Sequence, residues 1–318
     1  MTRKKQKRSR KNRSSTKERR SKPPETLSEY DEAVAIYTYH VEEKGRADLA
    51  VDLAMNLTNR SNALRDLGRH GEAEGDLTKA VFIFTRLVEH EGREDLIGHL
   101  ALTLSNRAGA FKDLDRLPEA VADYGKAIAI YARLVEKQGH VELTRNLAII
   151  LSDRGCILRA LGKSAEAVAD FDKAIAVCTR LEELGSTNAA DALAMNLTNR
   201  GYVLCGLGKF REAFADHDRA VVILTRLVKE EGRVKLEREL AISLGNRGNA
   251  LGDLGELTRS FEDYDRAAEI VKRLIEEEGQ TDLVDVLAML RHSRAAILEQ
   301  GREDDVSSAP RNKGALLH

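Results

Sequence analysis

The chain has 318 residues, with 51 Lys and Arg against 52 Asp and Glu, 4% aromatic residues, four prolines and no tryptophan. That composition favours helices over strands, and no apolar run reaches the roughly 18 residues a membrane span needs. Three cysteines (Cys156, Cys178, Cys205) without a CxxC spacing argue for reduced thiols in a cytoplasmic protein and against a disulfide framework or a zinc site.

The formal net charge of −1 conceals an asymmetry. Residues 1–24 hold twelve basic residues and one acid, Glu18, whereas the rest of the chain holds 39 basic against 51 acidic residues. Residues 1–27 are therefore read as a disordered basic N-terminal arm, too polar to bury a core. No apolar stretch follows it, so it is not a secretory signal. Such an arm can hold phosphates by counterion release, and without aromatics it cannot stack on bases. Four readings fit it: attachment to nucleic acid or the ribosome, contact with an anionic membrane, folding back on the acidic body, or a solubilising tail.

From residue 28 onward the chain repeats itself. Arg60, Arg107, Arg154, Arg200, Arg247 and Arg294 recur at intervals of 47, 47, 46, 47 and 47 residues, and Gly45, Gly92, Gly139, Gly185, Gly232 and Gly279 keep the same period. A fixed period of this size means a solenoid whose units pack on their neighbours. In the first complete unit, Leu49, Leu53, Leu57, Arg60, Leu64 and Leu67 form one helical stripe. Gly68 interrupts it, and Ala73, Leu77, Ala80, Phe84 and Leu87 form a second stripe that ends at Gly92. Glycine just past an apolar stripe suits a left-handed C-cap, because no Cβ clashes there. Each unit thus predicts two antiparallel helices of about 20 residues. The turn glycine recurs as Gly68, Gly162, Gly208 and Gly255, with Asp115 in its place once, and the single missing residue is assigned to the last turn before Gly185. Small residues follow the arginines (Ser61, Ala108, Gly155, Gly201, Gly248), and Ala73, Ala120, Ala167, Ala213 and Ser260 come twelve residues later. Small side chains in facing helices allow a tight hairpin.

Leu151-x2-Arg154-Gly155-x2-Leu158, followed by Ala167-x3-Phe171 and Ala174, resembles the tetratricopeptide repeat. The resemblance covers five units over residues 46–279, with half units at 28–45 and 281–300. Arginine stands where the family has leucine, and the helix-ending proline is absent, so the second helix runs on; the long-helix variants of the kinesin light chain type are similar in this respect. The resemblance implies an all-α, right-handed solenoid of antiparallel helix pairs over residues 28–300, followed by a disordered tail at 301–318. It also implies a non-catalytic adaptor that holds a protein or peptide in a concave groove lined by first helices.

Arg60 lies within an apolar stripe, and an unpaired guanidinium there costs several kcal/mol. Asp76, Asp123, Asp170, Asp216 and Asp263 recur at the matching place on the second helix. An Arg–Asp ladder pairing Arg60, Arg107, Arg154, Arg200 and Arg247 with these acids is expected, the alternative being a row of arginines that grips an acidic ligand. For the groove, the candidates are Asn59, Asn106, Asp153, Asn199 and Asn246, then Asn62, Tyr202 and Asn249, then Arg65, Lys112 and Arg159. Side-chain amides donate and accept, so a column of them can follow a peptide backbone, and the cations give the first half of the groove an affinity for an acidic peptide. The alternative is that the amides bridge neighbouring repeats.

Little suggests an enzyme, a cofactor or a metal. Gly162-Lys163-Ser164 imitates the end of a phosphate-binding loop, but Ile157 stands where the earlier glycine is required. The eight histidines form no HExxH, and His217 occupies a core position filled elsewhere by Leu77, Tyr124, Phe171 and Tyr264.

Overall fold

A computed structural model describes residues 25–138, 143–186 and 189–308. Among them are twelve α-helices and no strand. Residues 1–24, Gly139 and residues 309–318 lie outside the described residues, and so do the expectations placed on the arm and on the end of the tail. The chain divides after Arg116 into two compact units.

In the first unit, α1 (Glu25–Thr38), α2 (Ala50–Asp66), α3 (His70–Glu89) and α4 (Ile97–Asp113) pack consecutively. The two stripes of the first repeat bury along their length except at Leu67, which lies past the end of α2 and is 52% exposed. Leu53, Leu57 and Leu64 on α2 and Leu77, Phe84 and Leu87 on α3 are at most 3% exposed. Each such side chain contributes on the order of 1.5–3 kcal/mol. The first helices are shorter than expected, 17 residues in α2 and α4. They begin only after 3₁₀ turns at Ala47–Leu49 and Glu94–Leu96.

The α2–α3 turn is a Schellman motif. The Arg69 N–H donates to the Leu64 carbonyl at 2.8 Å, the Gly68 N–H to that of Arg65 at 2.9 Å, and Gly68 sits at φ +73°. Asp115 closes α4 in the same way, with Arg116 donating to Phe111 at 2.8 Å. It is the one non-glycine among the described residues in the left-handed region, at φ 58°.

The second unit runs through α5 (Leu117–Gln138), α6 (Thr144–Ala160), α7 (Ser164–Glu183), α8 (Ala189–Gly206), α9 (Phe210–Lys229), α10 (Glu237–Asp253), α11 (Leu257–Glu278) and α12 (Val284–Ser308). Helices adjacent in sequence pack on one another, and α6 on α8, α8 on α10 and α10 on α12 also touch, so the first helices form the closer layer. The final helix passes Gly301 and reaches Ser308.

In the second unit the glycine after the arginine receives the bulky side chain of the second helix. A Cβ on Gly155 would lie 2.8 Å from the Phe171 ring, and one on Gly201 2.7 Å from that of His217. The serine at the facing small position ties the last hairpin, its hydroxyl donating to the Gly248 carbonyl at 2.8 Å. The missing residue of the 46-residue interval is not in a helix. Both α3 and α7 have 20 residues. What shortens is the connection: Ser186 donates to Leu181, five residues back, where Arg93 donates to Leu87, six back. A deletion there spares the buried register of α7.

Candidate functional site

The recurring arginines meet the recurring aspartates. Arg60 grips Asp76 through Nε and Nη2, both at 2.6 Å. Arg154 grips Asp170 in the same fork, both bonds at 2.6 Å. Arg200 with Asp216 and Arg247 with Asp263 repeat it at 2.6–2.7 Å. The hydrogen bonds to Asp216 raise the Arg200 pKa, with burial opposing them, and those to Asp263 raise that of Arg247 in the same way. Arg107 is on α4 with its guanidinium 5.5 Å from the Phe111 ring centre, and Asp123 is buried on α5.

The third arginine nitrogen reaches an acid that single-repeat reasoning missed. Nη1 of Arg60 donates to Asp31 at 3.0 Å, that of Arg200 to Asp172 at 2.6 Å, and that of Arg247 to Asp218 at 2.6 Å. Each of these acids lies on the preceding second helix, so one guanidinium bridges two repeats. The signal was present as Asp170-x-Asp172, Asp216-x-Asp218 and Asp263-x-Asp265. It lapses at Thr78, whose hydroxyl donates to Glu74 at 2.9 Å, and at Gly125, where a Cβ would stand 3.2 Å from Arg154 Nη1. A guanidinium held on three nitrogens by carboxylates is a structural tie with little capacity left for a ligand.

Of the residues expected on the binding face, Asn59, Asn62, Lys112, Arg159, Tyr202 and Asn249 are exposed, and Arg65, Asn106, Asp153, Asn199 and Asn246 are half-buried. Arg65 is not a free cation: its Nε donates to Asp113 of the next first helix at 2.8 Å. The Arg159 guanidinium lies 5.0 Å from the Tyr202 ring centre. The Tyr124 hydroxyl donates to Asp153 at 3.4 Å, and the Asn199 amide reaches the Cys156 sulfur at 3.7 Å. Asn249 accepts from the Tyr264 hydroxyl at 2.5 Å.

The sequence profile of the tetratricopeptide repeat matches residues 100–142, 146–185 and 240–279, in phase with the helix pairs. Over those segments the chain carries tetratricopeptide repeats. No curated protein matches it in sequence. Among solved structures, BtubC (BKLC) from P. vanneervenii is 18% identical, with a TM-score of 0.61 over 80% of this chain and 93% of that one. A kinesin light chain protein of Podosopora anserina with nearly identical TPR-like repeats is 15% identical, with a TM-score of 0.54 over 72% of this chain and 98% of that one. RapI in its apo form is 14% identical, with a TM-score of 0.51 over 90% of this chain and 73% of that one. At these identities the likeness concerns the fold.

Within the last hairpins of the second unit a cavity of about 420 Å³ opens between α8, α9, α10 and α12. Tyr202, Asn246 and Asn249 of the expected face converge on it, joined by Cys205, His217 and Asp253. His217 is fully buried, and neither ring nitrogen has a hydrogen-bond partner among the described residues. Burial, with the nearby Arg247 charge, pushes its pKa down to about 4, so the imidazole is neutral. Burial, then Asp253, pushes the Cys205 thiol up to about 11, and burial pushes the Tyr264 hydroxyl up to about 12.

Among the described residues no group of three or more His, Cys, Asp and Glu could hold a metal ion, and no helix is long and apolar enough to cross a membrane. Gly162-Lys163-Ser164 is the turn between α6 and α7, where Lys163 pairs with Glu166 at 3.3 Å.

Proposed function

We propose that this chain is a non-catalytic scaffold that holds a protein partner as an extended peptide on the first-helix face. The carrying observation is the division of labour among its polar side chains. Arg60, Arg154, Arg200 and Arg247 are committed to internal carboxylates, whereas Asn59 and Asn62 in the first unit and Tyr202 and Asn249 in the second stay exposed on first helices. An exposed amide offers both a donor and an acceptor to a peptide backbone whatever its sequence. An acidic ligand would have to compete with Asp113 for Arg65, so backbone recognition supports the reading better than charge does.

The test is position-specific photocrosslinking in nuclease-treated native lysate. A crosslinking amino acid replaces Asn62 or Tyr202 on the first helices, or Phe82 or Val222, which are 68% and 62% exposed on second helices. One partner crosslinked from residues 62 and 202, by full-length protein and by residues 25–318 alike, and absent from 82 and 222, is the expected result. Capture from the second helices alone would overturn the assignment of the face. Capture lost with residues 1–24 or with nuclease would transfer the function to the basic arm as a nucleic-acid attachment.

A further inference from the structure

Asp113 and Asp253 occupy the same place in their repeats, six residues after Arg107 and Arg247. The Arg65 side chain reaches across from the preceding first helix to Asp113, and its guanidinium lies over Gly109, where a Cβ would meet Nη2 at 3.0 Å. One repeat before Asp253, the residue at the place of Arg65 is Cys205. No cation pairs with Asp253 among the described residues, and burial raises its pKa without an opposing charge. Where the arginine would have extended, the 420 Å³ cavity lies open, with Cys205 and Asp253 both in its wall.

We propose that this cavity receives an arginine side chain of the bound partner, in the role that Arg65 plays internally in the first unit. Asp253 is the only formally charged residue in the lining, and Cys205 stays a neutral thiol. Arg247, whose charge is felt at His217, is paired with Asp263 and Asp218, and the Arg159 guanidinium lies outside on the Tyr202 ring. Asn246 adds an amide oxygen beside the Asp253 carboxylate, so the wall offers acceptors, and the buried His217 imidazole adds no charge. A guanidinium carries five donors in a planar fork and no acceptor. Its aliphatic stem can lie along Ala296 and Ile297 on α12. The Tyr202 ring, 54% exposed and already carrying Arg159, offers a further face for a cation.

This inference deepens the scaffold reading and rests on it for the partner's nature, but its test reads the cavity directly. The probe is acetyl-Gly-Arg-Gly-amide at millimolar concentration, compared with its citrulline analogue, which has the same shape and no charge. Amide NMR spectra of the full chain report binding. The expected result is a set of shifts at Tyr202, Asn246, Asn249 and Asp253 with the arginine peptide and none with citrulline. D253N should weaken binding by roughly tenfold, the scale of one charge-assisted contact. C205R should abolish it by supplying the guanidinium internally, with a thermal midpoint at or above that of the parent, so that lost binding is not lost folding. Equal shifts from citrulline, an absence of shifts at these residues, or undiminished binding by C205R would each overturn the proposal. None of these outcomes touches the crosslinking result, so a silent cavity leaves the first-helix face standing.

Discussion

Gly125 is the place to test the arginine bridge, because there the bridge is missing its second foot. Arg200 and Arg247 each hold an acid of their own repeat and one of the preceding repeat at 2.6 Å. Arg154 holds Asp170 and faces bare glycine on α5. Changing Gly125 to Asp places a carboxylate where the spacing calls for one. Glycine within a helix costs about 1 kcal/mol relative to alanine, and aspartate recovers about a third of that. The equivalent acids, Asp172 and Asp218, are 52% and 43% exposed, so the ion pair adds only about 0.2–1 kcal/mol. The Cβ at 3.2 Å from Nη1 asks the guanidinium to shift by a few tenths of an ångström. The sum is a gain of at most about 0.5–1.3 kcal/mol. Gly125→Asn supplies the control, since it has a similar helix cost and no charge. Urea unfolding followed by circular dichroism, with hydrogen exchange on α5 and α6 to localise the effect, measures both variants. The Asp variant should exceed the Asn variant at low salt, and the difference should vanish near 1 M salt, where screening acts within about 3 Å. An Asp variant no more stable than the Asn variant would refute the bridging role of the second acid.

Three further outcomes follow from the same geometry. Asp263→Asn strips the better-buried partner from Arg247 while leaving Asp218, and should cost about 2–3 kcal/mol in a urea titration; a gain would show the pair to be dispensable. Asp115→Gly relieves a left-handed residue at φ 58° and should stabilise the first unit by about 0.5–1 kcal/mol in its thermal midpoint, because relief of the Cβ clash exceeds the added freedom of the unfolded chain. The His217 imidazole titrates near 6.5 when unfolded and is pushed down to about 4 when folded. The unfolded state therefore holds the extra proton between those values, and stability falls as pH drops through that window, by up to about 3 kcal/mol. His217→Phe, the arrangement that Phe171 already makes over Gly155, should flatten that part of the stability–pH profile, and a profile unchanged by the substitution would contradict the buried neutral ring.

What the sequence revealed depended on how far apart the partners were. Arg60 and Asp76 belong to one hairpin and are 16 residues apart, so the pair is visible within a single repeat. Arg65 and Asp113 are 48 residues apart, one repeat plus one position, and no alignment of units places them side by side. Arg65 therefore looked like a cation for a ligand, although a neighbouring helix already answers it. The second aspartate was hidden for another reason: it serves the next unit, and its pattern is interrupted at Thr78 and Gly125. Turn glycines were legible because a positive φ leaves few residue types to choose from. The deletion before Gly185 was placed one element too early, since the period counts residues without distinguishing helix from connection. The cavity at His217 lay in no motif, and its only trace was a polar residue at a position elsewhere given to Leu, Phe or Tyr.

The two-footed arginine also sets rules for how such a chain can lengthen. A unit copied beside itself must offer its neighbour a carboxylate at the position of Asp172 or Asp218 if the joint is to be tied. Hairpins carrying Asp172, Asp218 or Asp265 meet that condition, whereas those carrying Thr78 or Gly125 do not. Duplication by unequal recombination would therefore be tolerated toward the C-terminal end of the array, where any whole number of units can be inserted without leaving a guanidinium half-answered.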